Sequence, residues 1–247
     1  MYIMMPDRED GFGGQFLNIF RALVLVETNN HTFIFDGIKK MISDDTDGDN
    51  IHYKDKLVEY MNISQFYLSS SDVKIEQLGV LPEVITFYSM FVADFEKYHS
   101  SPSFLRYKKI FLHDKKNPYD STFHNVAMHV RKADKYYRAD DTRIFDNDYY
   151  LNFCKKIRSE YKGNKQIRFH IYSNGTPEDF EYLKEDDVIF HLKEDLMLTH
   201  LGFIFADELL IGYSCLGYTA AFFCNGKVYY KYWNHLHIGL QSWIKYE

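Results

Sequence analysis

The sequence predicts an α/β fold of two Rossmann-like halves, each built around a parallel β-sheet. Short apolar segments alternate with segments of helical spacing, most regularly in the second half of the chain. Such alternation is typical of parallel sheets with right-handed crossovers. The 247 residues suffice for two small domains, and a polar segment at 115–125 that contains Pro118 has the composition of a linker. We therefore expect an N-terminal domain over 1–120 and a C-terminal domain over 121–247.

The composition is that of a globular protein without a general affinity for polyanions. Hydrophobic residues make up 46% of the chain, and the formal net charge of -6 argues against nucleic acid or an anionic membrane as a partner. The N-terminus turns acidic too early for a signal peptide, and no apolar run approaches the ~18 residues of a membrane span. We expect a cytoplasmic protein. Cys154, Cys215 and Cys224 are too few and too widely spaced for a disulfide framework or a zinc site.

In the first half, strands are expected at "YIMM" and "HTFIF", with a glycine-rich loop and a buried helix over 15–30 between them. The helix follows from the close helical spacing of its apolar residues and from Asn29-Asn30 as a C-cap. Residues 39–55 are acidic and polar, which predicts a surface loop. Residues 56–109 have a mostly helical pattern, with breaks at Pro82 and Pro102.

The second half predicts five strands bounded by turn signals. They are expected at 126–130, 167–173, 188–192, 208–212 and 227–233. Helices are expected between them at 146–161, 176–184, 194–206 and 215–224. Asp146 or Asn147 is the expected N-cap of the first of these helices, and Thr176 followed by Pro177 opens the second.

Polar residues follow four of the predicted apolar strands at their carboxyl ends. The segments are "DGFGGQ", "HVRKADK", "YSNGTPED" and "GYSCLGY". In open parallel sheets, ligands bind outside the carboxyl ends of the strands. Because several strand ends share this polar character, the sequence predicts a binding site at that edge.

The first of these segments places Gly11, Gly13 and Gly14 ahead of a helix, where backbone N–H groups can approach a phosphate. The pattern is not GxGxxG because position 16 is Phe, and no GK[ST] follows for a P-loop. A plain tight turn explains the glycines equally well.

The second segment offers two adjacent cations, Arg131 and Lys132. Alternation in a strand puts His129 and Arg131 on one face and Lys132 on the other. A guanidinium at a strand end suits bidentate contact with a phosphate. A surface ion-pair cluster with the aspartates that follow is an equally good reading of the charges.

In the last segment, Ser214 is placed at the start of a helix, where its hydroxyl and the neighbouring amides can hold a phosphate or where it serves only as the N-cap. The same stretch nearly matches the GxSxG elbow of serine hydrolases. Its second glycine is one place too late, and no Asp follows Ser214 for the order serine, acid, histidine. A serine hydrolase is therefore the weaker interpretation.

Together these segments resemble the fucosyltransferase-like superfamily, which includes α-1,2- and α-1,6-fucosyltransferases and protein O-fucosyltransferases. His129–Asp134 is close to its H-x-R-R-x-D motif, and Gly11–Gln15 to the G-x-G-N-Q turn of the α-1,2 members. Ser173–Gly175 is comparable with a strand that ends in Ser, and Ser214–Tyr218 with a Ser-Ser-Phe-Ser-like segment. The order and spacing agree over nearly the whole chain, and a similar layout occurs in glycan-building proteins of protists and large DNA viruses.

The resemblance implies a GT-B fold, in which two Rossmann-like domains face each other across a cleft. It implies an inverting, metal-independent transfer of a sugar from a nucleotide diphosphate to an oligosaccharide or glycoprotein, without a cofactor. Arg131 would contact the donor diphosphate and stabilise the departing charge. The residues implied in donor binding are His129, Lys132, Asp134, Ser173, Asn174, Ser214, Cys215, Gly217 and Tyr218. The loop that faces the cleft would contain Gly11, Gly13, Gly14 and Gln15.

The chain departs from the family pattern at the second Arg of the motif, which is Lys132 and lacks the guanidinium fork. Cys215 and Gly217 also replace two serines of the C-terminal segment. GDP-fucose remains the favoured donor, and a UDP-pentose such as UDP-xylose is the second choice. The resemblance does not fix the general base; Asp10, in the first loop, is the candidate by position. A non-catalytic nucleotide- or glycan-binding module is the alternative function.

Two further patterns bear on metal binding. Asp47-Gly48-Asp49 matches the DxD of metal-dependent glycosyltransferases, but no strand leads into it, which favours a solvated acidic loop. His235 and His237 can face one side of a strand, yet a third ligand is not obvious. We therefore expect no metal.

Overall fold

A computed structural model of the chain describes residues 1–5, 9–39, 41, 50–80, 84–132, 144–232 and 238–247. The chain divides into two compact units, each with its own parallel sheet. The N-terminal unit is Met1–Lys115 with Asn234–Leu240, and the C-terminal unit is Lys116–Trp233 with Gln241–Glu247. Within the described ranges, no helix is both long and apolar enough to span a bilayer. The predicted α/β class with two parallel sheets is confirmed, while the facing of the two units across a cleft stays a prediction.

The N-terminal unit contains a four-stranded parallel sheet of very short strands in the order β3-β2-β1-β4. The strands are β1 (Tyr2–Met4), β2 (Thr32–Ile34), β3 (Tyr67–Leu68) and β4 (Leu78–Val80). The helices are α1 (Phe12–Thr28), α2 (Asn50–Met61), α3 (Val84–Ala93), α4 (Phe95–His99) and α5 (Pro102–Leu112). Short 3₁₀ turns lie at Ser64–Phe66, Ser70–Asp72 and Ile75–Gln77.

Helix α1 is the centre of this unit, since every residue from Phe12 to Val26 is buried. It begins earlier than the sequence predicts, so that Gly13 and Gly14 lie inside the helix and not in the loop before it. Helix α5 begins at Pro102, where proline needs no amide partner, and Ser101 caps it by accepting from the backbone N–H of Phe104 at 3.1 Å.

Two predictions for the first half are wrong in part. The predicted loop over 39–55 ends earlier, because α2 begins at Asn50. The predicted helical stretch over 56–109 is interrupted by β3 and β4. Strands of two or three residues are too short to show an alternating pattern of apolar residues. Their apolar residues also fit the helical spacing of the surrounding segment, so the sequence predicts a helix there. Pro82 lies outside the described residues.

The C-terminal unit contains a six-stranded parallel sheet in the order β10-β9-β8-β5-β6-β7. The strands are β5 (His124–Val130), β6 (Ile167–Ser173), β7 (Val188–Leu192), β8 (Glu208–Ile211), β9 (Lys227–Tyr230) and β10 (Ile244–Lys245). The α-helices are α6 (Asn147–Glu160), α7 (Leu196–Ile204) and α8 (Cys215–Phe223). The five predicted strands are confirmed as β5 to β9, and β10 is an addition that the sequence did not predict.

One predicted helix of this unit has a different form. Residues Pro177–Leu183 form a 3₁₀ helix opened by a capping box, in which Thr176 N–H donates to the Asp179 carboxylate at 2.8 Å. The cap was therefore predicted correctly, but the type of helix was not. Asp146 is the N-cap of α6, as expected.

The two faces of the six-stranded sheet carry different side chains. Val126, Met128 and Val130 of β5 pack into an apolar cluster with α6, which covers one face. The alternate residue His129 points to the other face, where its ring lies 5.2 Å from that of Phe203 in α7. Residues after β5 therefore approach the carboxyl edge of the sheet from both faces.

Candidate functional site

The order of the strands reverses between β5 and β8. The chain passes from β5 through β6 to β7 and then returns to the other side of β5 for β8. In doubly wound sheets, the crevice at the carboxyl ends on either side of such a reversal is where ligands bind. Arg131 follows β5 here, and Gly212 to Ser214 follow β8. The structure thus brings two of the predicted polar segments together at the expected binding position.

Close packing between β5 and α8 accounts for the glycines of this crevice. A Cβ added at Gly217 would lie 3.1 Å from His129 Nδ1, and one added at Gly212 would lie 3.1 Å from the carbonyl oxygen of His129. Both positions therefore favour glycine, because His129 occupies the space that a side chain would need. His129 and Gly217, predicted donor-binding residues, are direct neighbours.

His129 is uncharged at neutral pH. Burial lowers the pKa of His129 to about 3, and the nearby Arg131 guanidinium acts in the same direction. Its Nδ1 is buried without a hydrogen-bond partner among the residues that the structure describes. A neutral imidazole in this place can give or take one hydrogen bond without adding charge, so Arg131 supplies the positive charge on this face.

The first turn of α8 is fixed by hydrogen bonds to buried hydroxyl groups. The Ser214 hydroxyl accepts from the backbone N–H of Leu216 at 3.3 Å, which makes Ser214 the N-cap. The Thr219 hydroxyl lies 2.8 Å from the carbonyl of Cys215 and 3.2 Å from Nε2 of His200. Burial lowers the pKa of His200 to about 3, so a neutral imidazole donates to this hydroxyl.

Not every predicted residue of α8 faces the crevice. Tyr218 is buried, with its ring 4.9 Å from Phe222 and 5.8 Å from Trp243, and it belongs to the core. Ser214 is also buried, and none of the described histidines forms a hydrogen bond with its hydroxyl. The arrangement offers capped helix amides to a ligand and gives no support to a serine nucleophile.

Lys132 and Asn174 hold two strand ends together. The Asn174 side chain accepts from the backbone N–H of Lys132 at 3.0 Å and donates to its carbonyl at 3.2 Å. The Lys132 ammonium donates to Asn147 at 3.0 Å and lies 5.1 Å above the Phe180 ring. Burial lowers the pKa of Lys132. Both residues were predicted to bind the donor, and the structure gives both of them contacts within the fold.

The predicted residue Ser173 also has a local role. Its hydroxyl accepts from the backbone N–H of Gly175 at 3.0 Å, which stabilises the turn after β6. Lys132 lies on the face opposite to His129, as alternation along the strand predicts.

Two further residues lie at the same edge of the sheet and were not predicted from the sequence. Tyr213, after β8, donates its hydroxyl hydrogen to the carbonyl of Tyr232 at 2.6 Å, and its ring lies 4.6 Å from that of Phe145. Lys231, after β9, places its ammonium 5.2 Å above the Phe145 ring and 5.6 Å above the Tyr149 ring. The sequence predicts a strand over 227–233, which would place Lys231 inside the strand. In the structure β9 ends at Tyr230, so Lys231 lies at the edge of the sheet.

The predicted loop of the N-terminal unit has a different geometry from the one expected. The Asp10 carboxylate accepts from the backbone N–H of Gly11 at 2.9 Å. A Cβ at Gly14 would lie only 2.2 Å from Asp10 Cγ, so glycine is needed here to admit this carboxylate. Gln15 is buried. The Asp10 carboxylate therefore already occupies the start of α1, where the sequence predicted that a phosphate could bind.

Several predicted residues lie outside the described ranges. They are Asp47, Gly48, Asp49, Asp134, His235 and His237. Among the residues that are described, no group of three or more His, Cys, Asp or Glu side chains could hold a metal ion.

Three solved structures are similar to the chain, each with a TM-score below 0.5. Fucosyltransferase NodZ from Bradyrhizobium matches at 11% identity with a TM-score of 0.45, over 90% of this chain and 92% of that chain. NodZ α-1,6-fucosyltransferase soaked with GDP-fucose matches at 10% identity with a TM-score of 0.44, over 90% of this chain and 92% of that chain. E. coli heptosyltransferase WaaC with ADP-2-deoxy-2-fluoro heptose matches at 9% identity with a TM-score of 0.43, over 99% of this chain and 92% of that chain. No protein-family model and no curated protein matches the chain.

Proposed function

We propose that the chain is an inverting glycosyltransferase that binds a nucleotide-diphosphate sugar at the carboxyl edge of the C-terminal sheet. One observation carries the proposal: the strand order reverses between β5 and β8, and Arg131 and the capped start of α8 follow these two neighbouring strands. A guanidinium and a helix N-terminus both favour the two negative charges of the bound diphosphate and the further charge that develops as it departs.

In this proposal Arg131 stabilises the charge that develops on the diphosphate as the bond to the sugar breaks. The backbone amides at the start of α8, near Cys215, receive the phosphate oxygens. His129 stays neutral and orients a donor group by a hydrogen bond. These residues provide charge and hydrogen bonds without a metal ion, and the sequence resemblance points to the same metal-free transfer.

Asp10 is the proposed general base. A base must be ionised before it can take the proton of an acceptor hydroxyl. The backbone N–H of Gly11 donates to the Asp10 carboxylate and so fixes the orientation of the carboxyl group. We favour GDP-fucose as donor, with a UDP-pentose such as UDP-xylose as second choice, and an oligosaccharide or glycoprotein as acceptor.

The test is a calorimetric titration of the wild-type chain and of Arg131→Ala with GDP and UDP. We expect one nucleotide to bind, and Arg131→Ala to bind it at least about tenfold more weakly, equal to ~1.4 kcal/mol. Arg168→Ala is the matched control, because Arg168 lies near the amino end of β6, at the opposite edge of the same sheet. Wild-type affinity in Arg131→Ala would remove Arg131 from the site, and failure of both nucleotides to bind would end the proposal.

A binding module without transfer activity is the second candidate. It is favoured by the internal contacts of Lys132 and the core position of Tyr218, two residues that the resemblance assigns to the donor. Release of free nucleotide from GDP- and UDP-sugars, measured across a panel of glycan acceptors, separates the two candidates. Tight binding with no release on any acceptor would favour the module.

A further inference from the structure

The donor site of the proposed function lacks its expected second cation. The sequence motif places Lys132 beside Arg131, but the Lys132 ammonium donates to Asn147 and lies above the Phe180 ring. A diphosphate carries more negative charge than a single guanidinium compensates. The carboxyl edge therefore has room for another positive group.

Lys231 lies at the same level along the strands as the residues of this crevice. Ile211 pairs with Tyr230, so the next residues, Gly212 and Lys231, are neighbours across β8 and β9. Met128 pairs with Leu210, so the register continues to Gly212 from the side of β5 as well. Neighbouring strands lie about 4.8 Å apart, which puts the ends of β5 and β9 about 10 Å apart. Gly212 stands between them without a side chain. Lys231 lies on the face of Val130 and α6, and alternation places Arg131 on the face of His129, so the two cations approach this edge from opposite faces of the sheet.

The Lys231 ammonium is held in place but not neutralised by a close carboxylate. It lies above the rings of Phe145 and Tyr149, a geometry that fixes a cation and leaves its N–H groups for another acceptor. No carboxylate of the described residues forms an ion pair with it. The carboxylate of Glu247, which pairs with Lys245, also interacts electrostatically with Lys231. Lys132, in contrast, already has an oxygen partner.

We propose that Lys231 supplies the second positive charge of the diphosphate site, opposite Arg131 across Gly212. This inference depends on the proposed function, since it assigns a further residue to the same donor site. The ligand it recognises is the second phosphate of a nucleoside diphosphate. Phe145, whose ring packs against Tyr213, lies beneath the Lys231 ammonium and keeps its side chain at the edge.

The experiment compares Lys231→Met with Lys132→Met and with Lys227→Met as the matched control. Lys227 lies on the same strand at the opposite edge, where it pairs with Glu208 at 3.5 Å. Dissociation constants for GDP, GMP, UDP and UMP are measured by calorimetry at low and moderate salt. We expect Lys231→Met to lose about tenfold in affinity for the diphosphate and little for the monophosphate, with a weaker dependence on salt. Lys231→Arg should restore the preference for the diphosphate.

The outcomes separate the inference from the proposed function. If Lys132→Met loses the preference for the diphosphate and Lys231→Met keeps it, the assignment of Lys231 is overturned and the donor site stands. If the wild-type chain binds no nucleotide at all, both fail together. Lys231→Gln repeats the test if the methionine variant does not fold, and circular dichroism of each variant verifies the fold. A loss that is equal for diphosphate and monophosphate would reduce Lys231 to a structural residue.

Discussion

Both units are parallel sheets covered by helices and both contain aromatic contacts, but among the described residues only the strands of the C-terminal sheet are joined by side-chain hydrogen bonds. In the N-terminal unit, α1 is packed by aromatic rings from the helices around it. Phe16 lies 5.5 Å from Phe111 in an edge-to-face contact, and Phe20 lies 6.4 Å from Phe91 in another. Such pairs contribute mainly through the apolar area they bury, which does not depend strongly on direction.

The C-terminal unit also has ring contacts, such as Phe153 with Tyr229 at 5.0 Å, and in addition hydrogen bonds between side chains join its strands. Glu208 at the start of β8 is buried and accepts from Tyr229 at 2.8 Å, and it lies 3.0 Å from Nε2 of His124. His170 of β6 lies 3.0 Å from His191 of β7. These contacts depend on distance and angle, so they fix the position of each strand more narrowly than ring contacts do.

This difference indicates which of the two units has the more narrowly defined geometry. A diphosphate site depends on backbone amides and a guanidinium being placed to within a fraction of an ångström. The unit proposed to carry that site is the one whose neighbouring strands are joined by side-chain hydrogen bonds. Because of these contacts, the stability of this unit should depend on pH and on single polar atoms. Three predictions test the comparison.

The largest expected effect concerns two glycines, one in each unit. A Cβ at Gly226, before β9, would lie 2.3 Å from the carbonyl oxygens of Ala206 and Asp207, which are backbone atoms that cannot move aside. We expect Gly226→Ala to lower the free energy of unfolding by about 3 kcal/mol. At Gly79 the Cβ would meet the end of the Ile3 side chain at 2.9 Å, which can rotate, so Gly79→Ala should cost less than about 1 kcal/mol.

Urea unfolding of both variants measures the two costs. Equal losses would show that the N-terminal sheet is packed as tightly as the C-terminal one, and the contrast between the units would then have to be dropped.

The same contrast explains which elements could be predicted from the sequence. Strands β5 to β9 have four to seven residues with turn signals on both sides, so each could be recognised alone. Strands β3 and β4 have two or three residues and exist because their neighbours pair with them. Pairing with β9 likewise creates β10 at Ile244–Lys245, which no local pattern indicates.

The location of the candidate site could be predicted, but its contacts could not. Polar residues after apolar strands mark the carboxyl edge whatever the packing. The partner of Lys132 is Asn147, which depends on how α6 docks against the sheet. Lys231 lies within the segment "KVYYKYW", whose strand-like pattern continues past the last residue that pairs with β8. The end of β9 before Lys231 could therefore not be predicted from the sequence.

The second challenge is acid. Burial lowers the pKa of His129, His170 and His200 in the C-terminal unit, and of His99 in the N-terminal unit, from 6.5 to about 3. The unfolded chain therefore binds these protons more tightly than the folded one. Stability is complete above pH 6.5 and declines as the pH falls toward 3. At one pH unit below 6.5 each histidine should cost roughly 1 kcal/mol, three times in one unit and once in the other.

Hydrogen exchange resolved by peptide, at neutral pH and at about pH 5.5, measures this difference. Protection should fall more in β5, β6 and α7 than in α1. His113→Gln is the control, because His113 is exposed and its replacement should leave both profiles unchanged. Parallel losses in the two units would contradict the assignment of acid sensitivity to the C-terminal unit.

The smallest expected effect is the loss of a single hydroxyl. Thr219 is fully buried, and its side chain connects His200 of α7 to the first turn of α8. Thr219→Val keeps the shape but leaves Nε2 of His200 without this acceptor, which should cost about 1 kcal/mol of unfolding free energy. Thr219→Ser keeps the hydroxyl and should recover most of that energy. If the valine variant were as stable as the wild type, apolar packing would suffice to hold α8, as ring contacts hold α1, and the directional network would not be what positions the helix at the proposed diphosphate site.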